Sequence, residues 1–158
     1  MGTIIALLGA ILVGLVALAG VLIGGMRLHW SPATEAMRRL TMVLNKGQRG
    51  SGQPGSYAGI LRHVGRTSGE VYETPLGIER TDDGFVIAIV YGQRTQWVKN
   101  VLAAGSAEVV VDGETYPVER AEVVPMSEVA SYFKPSDQRM TGLIGVTEAL
   151  RLYHADHD

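Results

Sequence analysis

The first stretch of the chain constrains the fold most, because it contains no charged residue from Thr3 to Met26. As an α-helix, the roughly 20 residues from Ile4 to Ile23 span about 30 Å, which matches the hydrocarbon thickness of a bilayer. A cleaved signal peptide is the main alternative, since Ala17-Leu18-Ala19 fits the small-residue cleavage pattern, and a buried core helix is a third. No basic residue precedes the apolar run. We therefore interpret residues 1–27 as a transmembrane anchor.

Charge predicts on which side of the membrane the remainder lies. Basic residues follow the apolar run rather than precede it: Arg27, Arg38, Arg39, Lys46 and Arg49. The positive-inside rule then predicts a single-pass protein of the inner (plasma) membrane with a cytoplasmic C-terminal domain. The absence of cysteine agrees, since secreted domains of this size often carry disulfides. The formal net charge of −2, with both signs intermixed, indicates no nucleic-acid partner.

The length of the chain bounds the number of domains. Of its 158 residues, the roughly 130 that follow the apolar run suffice for one domain. Ser31 and Pro32 are typical of a helix start, and an amphipathic helix is predicted after them, lying either along the membrane surface or over the domain. Its apolar positions are Ala33, Met37, Leu40 and Leu44. Several glycines follow, so residues 28–56 are interpreted as this helix and a flexible linker.

From Tyr57 onward, short β runs alternate with turn residues. Strands are predicted over Tyr57–Val64, Val71–Glu79 and Phe85–Val90. Pro75 cannot donate to a strand ladder, so the second strand is expected at a sheet edge, with main-chain groups near it available to a ligand. A helix is predicted over Gln96–Ala104, ended by Gly105.

Asp112-Gly113 is the strongest hairpin signal in the sequence. It separates strands predicted over Glu108–Val111 and Glu114–Val118, the second continuing to Val124. Two further helices are predicted, over Glu128–Phe133 with Ser127 as its cap and over Thr141–Tyr153. This order predicts a mainly β, α+β fold, a small antiparallel barrel closed by helices, because closure removes exposed sheet edges. Residues 57–126 are assigned to the barrel and 127–158 to a C-terminal helical segment and tail.

Five short motifs occur in an informative order: Gly65-Arg66-Thr67-Ser68-Gly69, Thr74-Pro75-Leu76, Tyr91-Gly92, Trp97-Val98-Lys99-Asn100-Val101-Leu102 and Asp112-Gly113. Together they resemble the deazaflavin-dependent nitroreductase and quinone reductase family of actinobacteria, across about residues 57–125. The resemblance implies a split β-barrel of the flavin-reductase-like kind, here preceded by one transmembrane helix. It also implies coenzyme F-420 as the cofactor.

The resemblance implies a set of cofactor-binding residues. The anionic tail of the cofactor is expected on the first turn, at Arg66, Thr67, Ser68 and Gly69. Such a turn offers backbone N–H groups, hydroxyls and a guanidinium that binds phosphate in a bidentate manner. Trp97 and Asn100, three residues apart on a helix, are expected to complete the tail site, and Thr74, Pro75 and Leu76 to lie along the deazaflavin ring. Taken singly, these residues are more typical of a solvated arginine, a core tryptophan and a strand-ending proline, whereas as an ordered set they favour the site.

The sequence departs from the family pattern at two places. Family members commonly carry basic residues in and after the first turn, where this chain has Thr67 and Glu70; Arg62, Arg94 and Lys99 are the cations that could compensate. A carboxylate beside a polyanionic tail disfavours binding unless it points away. The C-terminal region also lacks the closely spaced tyrosines of the family and has only Tyr132 and Phe133 to cover a ring.

Together with the predicted anchor, the resemblance implies a membrane-tethered oxidoreductase that transfers a hydride from reduced deazaflavin to a quinone, such as a menaquinone, or to a nitro-type acceptor. Tyr91 is the expected catalytic residue, as a proton source alternative to solvent. The anchor supports this interpretation, because a quinone resides in the lipid bilayer and a tether raises the effective concentration of the domain there.

Two other interpretations remain open. One is a non-catalytic accessory or scaffold subunit with a degenerate pocket, since Ala6, Ala10, Gly14 and the pair Gly20 and Gly24 favour close contact with an integral membrane partner. The other keeps the barrel but binds flavin mononucleotide or haem. No metal site is predicted; the nearest candidate set is His154, Asp156 and His157. No Ser-His-Asp arrangement, P-loop or Rossmann fingerprint occurs.

Overall fold

The computed structural model describes residues 2–27 and 50–155. The predicted helix that starts at Ser31 lies outside these residues, as do Asp156 and His157. The described elements are α1 (Gly2–Arg27), β1 (Gly59–Val64), β2 (Val71–Leu76), β3 (Glu79–Arg80), β4 (Gly84–Ala88), α2 (Gln96–Ala104), β5 (Ser106–Val111), β6 (Glu114–Pro125), α3 (Met126–Val129), a 3-10 turn (Ala130–Tyr132), α4 (Pro135–Ile144) and β7 (Glu148–His154).

The described strands form one seven-stranded sheet in the order β2-β1-β5-β6-β7-β4-β3, and every neighbouring pair is antiparallel. β2 and β3 stand at opposite ends of this order, yet only Gly77 and Ile78 separate them in the chain. The sheet must therefore curl until its two edges approach each other. This confirms the predicted α+β class and the curled antiparallel barrel.

The inner face of the curled sheet holds the main core. Fully buried side chains from five elements pack there: Leu61, Phe85, Ile87, Val98, Val101, Val109, Leu150 and Leu152. Each such side chain contributes about 1.5–3 kcal/mol by its removal from water. α3 and the turn after it cover part of the outer face with a second apolar cluster: Val86, Val124, Met126, Val129, Phe133 and Ala149.

Several local predictions are confirmed. α2 has the predicted bounds, and Gly105 ends it in the left-handed region with φ of 70°, its N–H donating to the Val101 carbonyl at 2.8 Å. Asp112 and Gly113 both have positive φ, 54° and 82°, as a tight hairpin turn requires. β2 lies at a sheet edge, as Pro75 indicated.

The predicted helix over Thr141–Tyr153 is wrong. α4 ends at Ile144, Gly145 follows in the left-handed region, and β7 then runs between β6 and β4 in the sheet. The segment is rich in residues that favour helices, but Leu150 and Leu152 are fully buried in the core. Pairing on both sides and burial override the local propensity.

Three smaller corrections concern element bounds. The second predicted strand ends at Leu76 rather than Glu79, because the chain crosses there to the other sheet edge. The helix predicted over Glu128–Phe133 is one turn from Met126 followed by a 3-10 turn, with no side-chain cap from Ser127. Part of the predicted flexible linker is ordered, because Gly52 accepts a hydrogen bond from Gly113 and donates one to Ala58, at 2.5 and 2.7 Å.

The side chains of α1 are described for residues 11–25. Leu22 and Ile23 are half-buried, while seven of its large apolar side chains there are exposed: Ile11, Leu12, Val13, Leu15, Val16, Leu18 and Val21. The helix contacts α4. Within the described residues, no helix combines the length and the apolar character that crossing a membrane requires.

Candidate functional site

The turn between β1 and β2 presents donors at an exposed tip. Its base is closed by hydrogen bonds from the Gly65 N–H to the Glu70 carbonyl and from the Gly69 N–H to the Gly65 carbonyl, both 2.8 Å. Gly69 has φ of 70°, a conformation that favours glycine. The backbone N–H groups of Thr67 and Ser68 donate to no described residue. The tip therefore offers two N–H donors beside two hydroxyls, a combination suited to an anion.

Arg66 joins this turn to α2. Its backbone N–H donates to Asn100 Oδ1 at 3.3 Å, and its Nη1 donates to the same oxygen at 2.8 Å and to Gln96 Oε1 at 2.9 Å. Gln96 and Asn100 lie four residues apart, hence on one face of α2. The predicted convergence of the turn and the tryptophan-bearing helix is therefore confirmed. Gln96 was not among the predicted site residues.

The hydrogen bonds continue from α2 to the edge strand. Asn100 Nδ2 lies 3.3 Å from His63 Nδ1, and His63 Nε2 lies 3.1 Å from Thr74 Oγ1. Asn100 and His63 are buried, with 6% and 5% of their surface exposed. Burial lowers the pKa of His63 below its ordinary value, so the imidazole is neutral at neutral pH. Gln96, Arg66, Asn100, His63 and Thr74 form what we term the mouth network.

The sheet register explains why these side chains meet. Leu61 pairs with Thr74 and His63 pairs with Tyr72, and directly paired residues point to the same face. Thr74 and Tyr72 therefore share the inner face with Leu61 and His63, at the open side of the curl. The rings of His63 and Tyr72 stack at 5.9 Å between centroids. Gly59, Leu61 and His63 alternate with less buried residues along β1, so His63 continues the buried face of the strand, which only the folded structure reveals.

The predicted ring-binding residues, Thr74, Pro75 and Leu76, lie together on β2 and are half-buried. β2 pairs with β1 on one side only, so its other edge is unpaired within the described sheet. Leu76 packs against the inner core. An edge strand with an apolar flank offers main-chain groups and a flat surface to a planar ligand.

Some charged side chains near the turn already form ion pairs or hydrogen bonds with neighbouring residues. Arg62 points to the outer face, where it bonds Glu73 at 2.7 Å and Glu108 at 3.5 Å. It therefore does not compensate for the missing basic residues of the turn. Glu70 accepts a hydrogen bond from the Tyr72 hydroxyl at 3.4 Å, and that hydroxyl also lies 3.1 Å from Ser68 Oγ. Compensation by Arg94 or Lys99 stays a prediction.

Two other predicted site residues lie apart from the mouth network. Trp97 is buried in the inner core, with 8% of its surface exposed, beside Val98 and Val101. Its packing thus helps to fix α2, and a contact with the cofactor tail stays a prediction. Tyr91 is half-buried in the loop between β4 and α2, and its role as a proton source also stays a prediction.

A second polar group lies near the crossover from β2 to β3. The Tyr57 hydroxyl donates to Asp137 Oδ1 at 3.2 Å, and Lys134 Nζ lies 5.9 Å from the centre of the Tyr57 ring. Burial raises the pKa of Tyr57, and the Asp137 carboxylate raises it further. Burial likewise raises the pKa of Glu79. Sequence analysis missed this group, because residues 57 and 137 come together only in the folded chain.

The fold and the mouth network define a curled half-barrel whose first turn presents donors suited to an anion. A sequence profile described as "F420H(2)-dependent quinone reductase" matches residues 34–143 of the chain. The chain belongs to this family. It is a deazaflavin-dependent oxidoreductase, and its cofactor is coenzyme F-420.

Solved structures with a similar fold include an F420-H2 dependent reductase (FDR-A), at 14% identity and a TM-score of 0.48, covering 62% of this chain and 94% of that one. Another is HutZ, a heme storage protein from Vibrio cholerae, at 12% identity and a TM-score of 0.47, covering 65% and 84%. A protein of unknown function from Agrobacterium tumefaciens has 19% identity and a TM-score of 0.47, covering 64% and 49%. A comparison with curated protein sequences finds no match.

The residues present fit this cofactor. Its tail is anionic, and the turn presents the guanidinium of Arg66 together with the two N–H groups of Thr67 and Ser68. Its ring is planar, and the unpaired edge of β2 lies beside the same network through Thr74. The tail-binding and ring-binding segments predicted from the sequence are thus connected by hydrogen bonds.

Proposed function

We propose that this protein transfers a hydride from reduced coenzyme F-420 to a quinone in the membrane, with nitro compounds as a second class of acceptor. The reduced deazaflavin supplies the hydride, so the protein has to align the ring and the acceptor and exclude water. The proposal rests mainly on one observation: Arg66 Nη1, from the first turn, donates to Asn100 Oδ1 of α2 at 2.8 Å. This hydrogen bond joins the two segments into one candidate site.

In this proposal the tail binds the turn and the ring lies along β2. Arg66, Thr67, Ser68 and Gly69 hold the anionic groups, with Asn100 fixing the guanidinium. Thr74, Pro75 and Leu76 flank the ring, and Trp97 supports α2 from beneath. Tyr91 is the proposed proton source, and Tyr57 with its Asp137 partner is the alternative, because it lies beside the β2–β3 crossover.

The membrane location is part of the same proposal. α1 has no charged residue between Thr3 and Met26, and seven of its large apolar side chains are exposed, a costly arrangement in water. We propose that α1 anchors the protein in the inner membrane with its C-terminal domain cytoplasmic. A small-residue face of α1 around Gly14 is the proposed contact for an integral membrane partner.

A titration of the purified full-length chain with F-420 tests the proposal, using the absorbance or fluorescence of the deazaflavin. Arg66→Glu reverses the charge at the turn, and loss of a charge-assisted hydrogen bond predicts affinity weaker by about 10-fold or more. Arg139→Glu, on exposed α4, makes the same charge change away from the network and is expected to leave affinity within about twofold.

Equal affinities of the two variants would contradict the assignment of the tail to this turn. If the wild-type chain bound no F-420 and instead co-purified with integral membrane proteins, the scaffold interpretation would replace the enzymatic one.

A further inference from the structure

We propose that His63 is a positioning residue, which holds the Thr74 hydroxyl as a hydrogen-bond donor toward the cofactor ring and couples it to the tail-binding turn. This inference rests on the proposed function and deepens it. It assigns a role to a buried side chain that the hydride transfer itself does not require.

The hydrogen bonds around Asn100 determine which way its side-chain amide faces. Its Oδ1 accepts two hydrogen bonds from Arg66, one from the backbone N–H and one from Nη1. The amide nitrogen of Asn100 must therefore face the other way, toward His63 Nδ1 at 3.3 Å. An amide NH₂ only donates, so Nδ1 of His63 accepts and carries no proton.

The tautomer of His63 follows from this orientation. A neutral imidazole has one N–H, so the proton is on Nε2, which then donates to Thr74 Oγ1 at 3.1 Å. The hydroxyl oxygen of Thr74 acts as the acceptor, and its own hydrogen has to point away from His63. Thr74 lies on the unpaired edge strand at the open side of the curl. Its hydroxyl is thus a directed donor where the ring is proposed to bind.

Burial makes this arrangement specific. Asn100 and His63 are almost completely buried, and a buried polar atom left without a partner is costly. A flipped Asn100 amide would set its oxygen against Nδ1 and its NH₂ against Arg66, so three hydrogen bonds would be lost together. The backbone N–H and the guanidinium of Arg66 together therefore determine the direction of the Thr74 hydroxyl, through Asn100 and His63. A ligand that orders Arg66 also orders Thr74.

The first test needs no cofactor. Long-range ¹H–¹⁵N correlation spectra of the ¹⁵N-histidine-labelled chain report the tautomer of each ring, and His63→Gln assigns its signals by their loss. We expect the Nε2–H tautomer for His63 in the wild type. Arg66→Ala removes the shorter of the two hydrogen bonds to Asn100 Oδ1 and keeps only the backbone N–H at 3.3 Å, so we expect a detectable share of the Nδ1–H tautomer beside the Nε2–H form. An Nδ1–H tautomer in the wild type would overturn the inference.

The second test uses two amide replacements that keep different halves of the imidazole. His63→Gln places an amide near Nε2 and keeps a donor for Thr74, so F-420 affinity is expected to fall by about threefold or less. His63→Asn places its amide near Nδ1 and leaves Thr74 without that donor, so a fall of about 10-fold is expected. Thr74→Val removes the hydroxyl itself and is expected to match His63→Asn. Thermal unfolding of each variant verifies that it is folded.

The double variant His63→Asn with Thr74→Val shows whether His63 acts on F-420 affinity through Thr74 or independently of it. If His63 acts through Thr74, the double variant binds F-420 no more weakly than Thr74→Val alone. Additive losses in a wild-type background that binds F-420 would overturn this inference and leave the proposed function standing. A wild-type chain that binds no F-420 would overturn both.

Discussion

At the residue scale, the mouth network depends on polar atoms that four separate segments supply to each other. His63 comes from β1, Thr74 from β2, Asn100 from α2 and Arg66 from the turn. Loss of one partner leaves a buried donor or acceptor unsatisfied, at a cost of about 1–3 kcal/mol. Each of these hydrogen bonds therefore helps to hold the site in one arrangement.

The acid stability of the protein is expected to reflect His63. Burial lowers its pKa in the folded chain below the value of 6.5 that it has when unfolded. Below pH 6.5 the unfolded chain then binds more protons, so stability falls as pH decreases toward the folded pKa, by at most about 1.4 kcal/mol per pH unit. The stabilising contribution is complete above this window. The charged group of the mouth network is the Arg66 guanidinium, which hydrogen-bonds Asn100, and Asn100 in turn hydrogen-bonds His63.

Denaturant unfolding of the wild type and of His63→Gln at pH 7.5 and pH 5.5 measures this effect. We expect the difference between the two pH values to be smaller for the glutamine variant, since glutamine does not titrate. Parallel pH dependences would show that the imidazole of His63 is not held neutral by burial.

At the element scale, β7 decides how the sheet is completed. It pairs with β6 on one side and β4 on the other, and it buries Ala149, Leu150 and Leu152. Without it the described sheet would divide into two parts, one from β2 to β6 and one from β4 to β3. A chain segment with helical propensity therefore joins the two halves of the barrel.

Two leucine substitutions in neighbouring elements test this role. Leu150→Ala removes a fully buried side chain of β7 and is expected to lower the free energy of unfolding by about 2–5 kcal/mol. Leu143→Ala removes a side chain of α4 that is 51% exposed, and a change of about 0.5 kcal/mol or less is expected. Denaturant unfolding gives both values. Similar small losses at the two sites would contradict the central placement of β7.

At the scale of the whole molecule, the proposed tether would place the half-barrel where a lipid-soluble quinone is available. α1 contacts α4 of the domain. Tethering acts through effective concentration and leaves the chemistry of the site unchanged. Its benefit should therefore depend on where the acceptor resides.

Paired charges in α1 test this proposal. Val13→Arg with Val16→Arg introduces two cations at exposed positions, each opposed by roughly 2.5–3.5 kcal/mol in a membrane centre. We expect the double variant to leave the membrane fraction and to reduce menaquinone in liposomes more slowly, with an unchanged rate on a water-soluble quinone. Val13→Leu with Val16→Leu is the matched control. Equal rates for both variants on the liposomal quinone would contradict the tether.

Much of the site could be predicted from local sequence. The glycine-bounded turn, Arg66 within it and the bounds of α2 depend on residues close together in the chain, and the structure brings them into contact. His63 was overlooked because its importance depends on pairing with Tyr72 and Thr74 in the next strand and on Asn100, 37 residues away. Arg62 was misjudged for the same reason, since Glu108 becomes its partner only through the β1–β5 pairing.

Local sequence is enough to specify the apolar N-terminal segment, the edge position of the proline-bearing strand and the Asp112-Gly113 hairpin, because apolar content, a missing N–H donor and positive φ are properties of single residues or short segments. Only in the folded chain do residues 148–154 become a central strand, and only there do an imidazole, an amide and a hydroxyl share one buried network. Those outcomes depend on burial and on hydrogen-bond partners that lie far apart in the chain, and no local pattern encodes them.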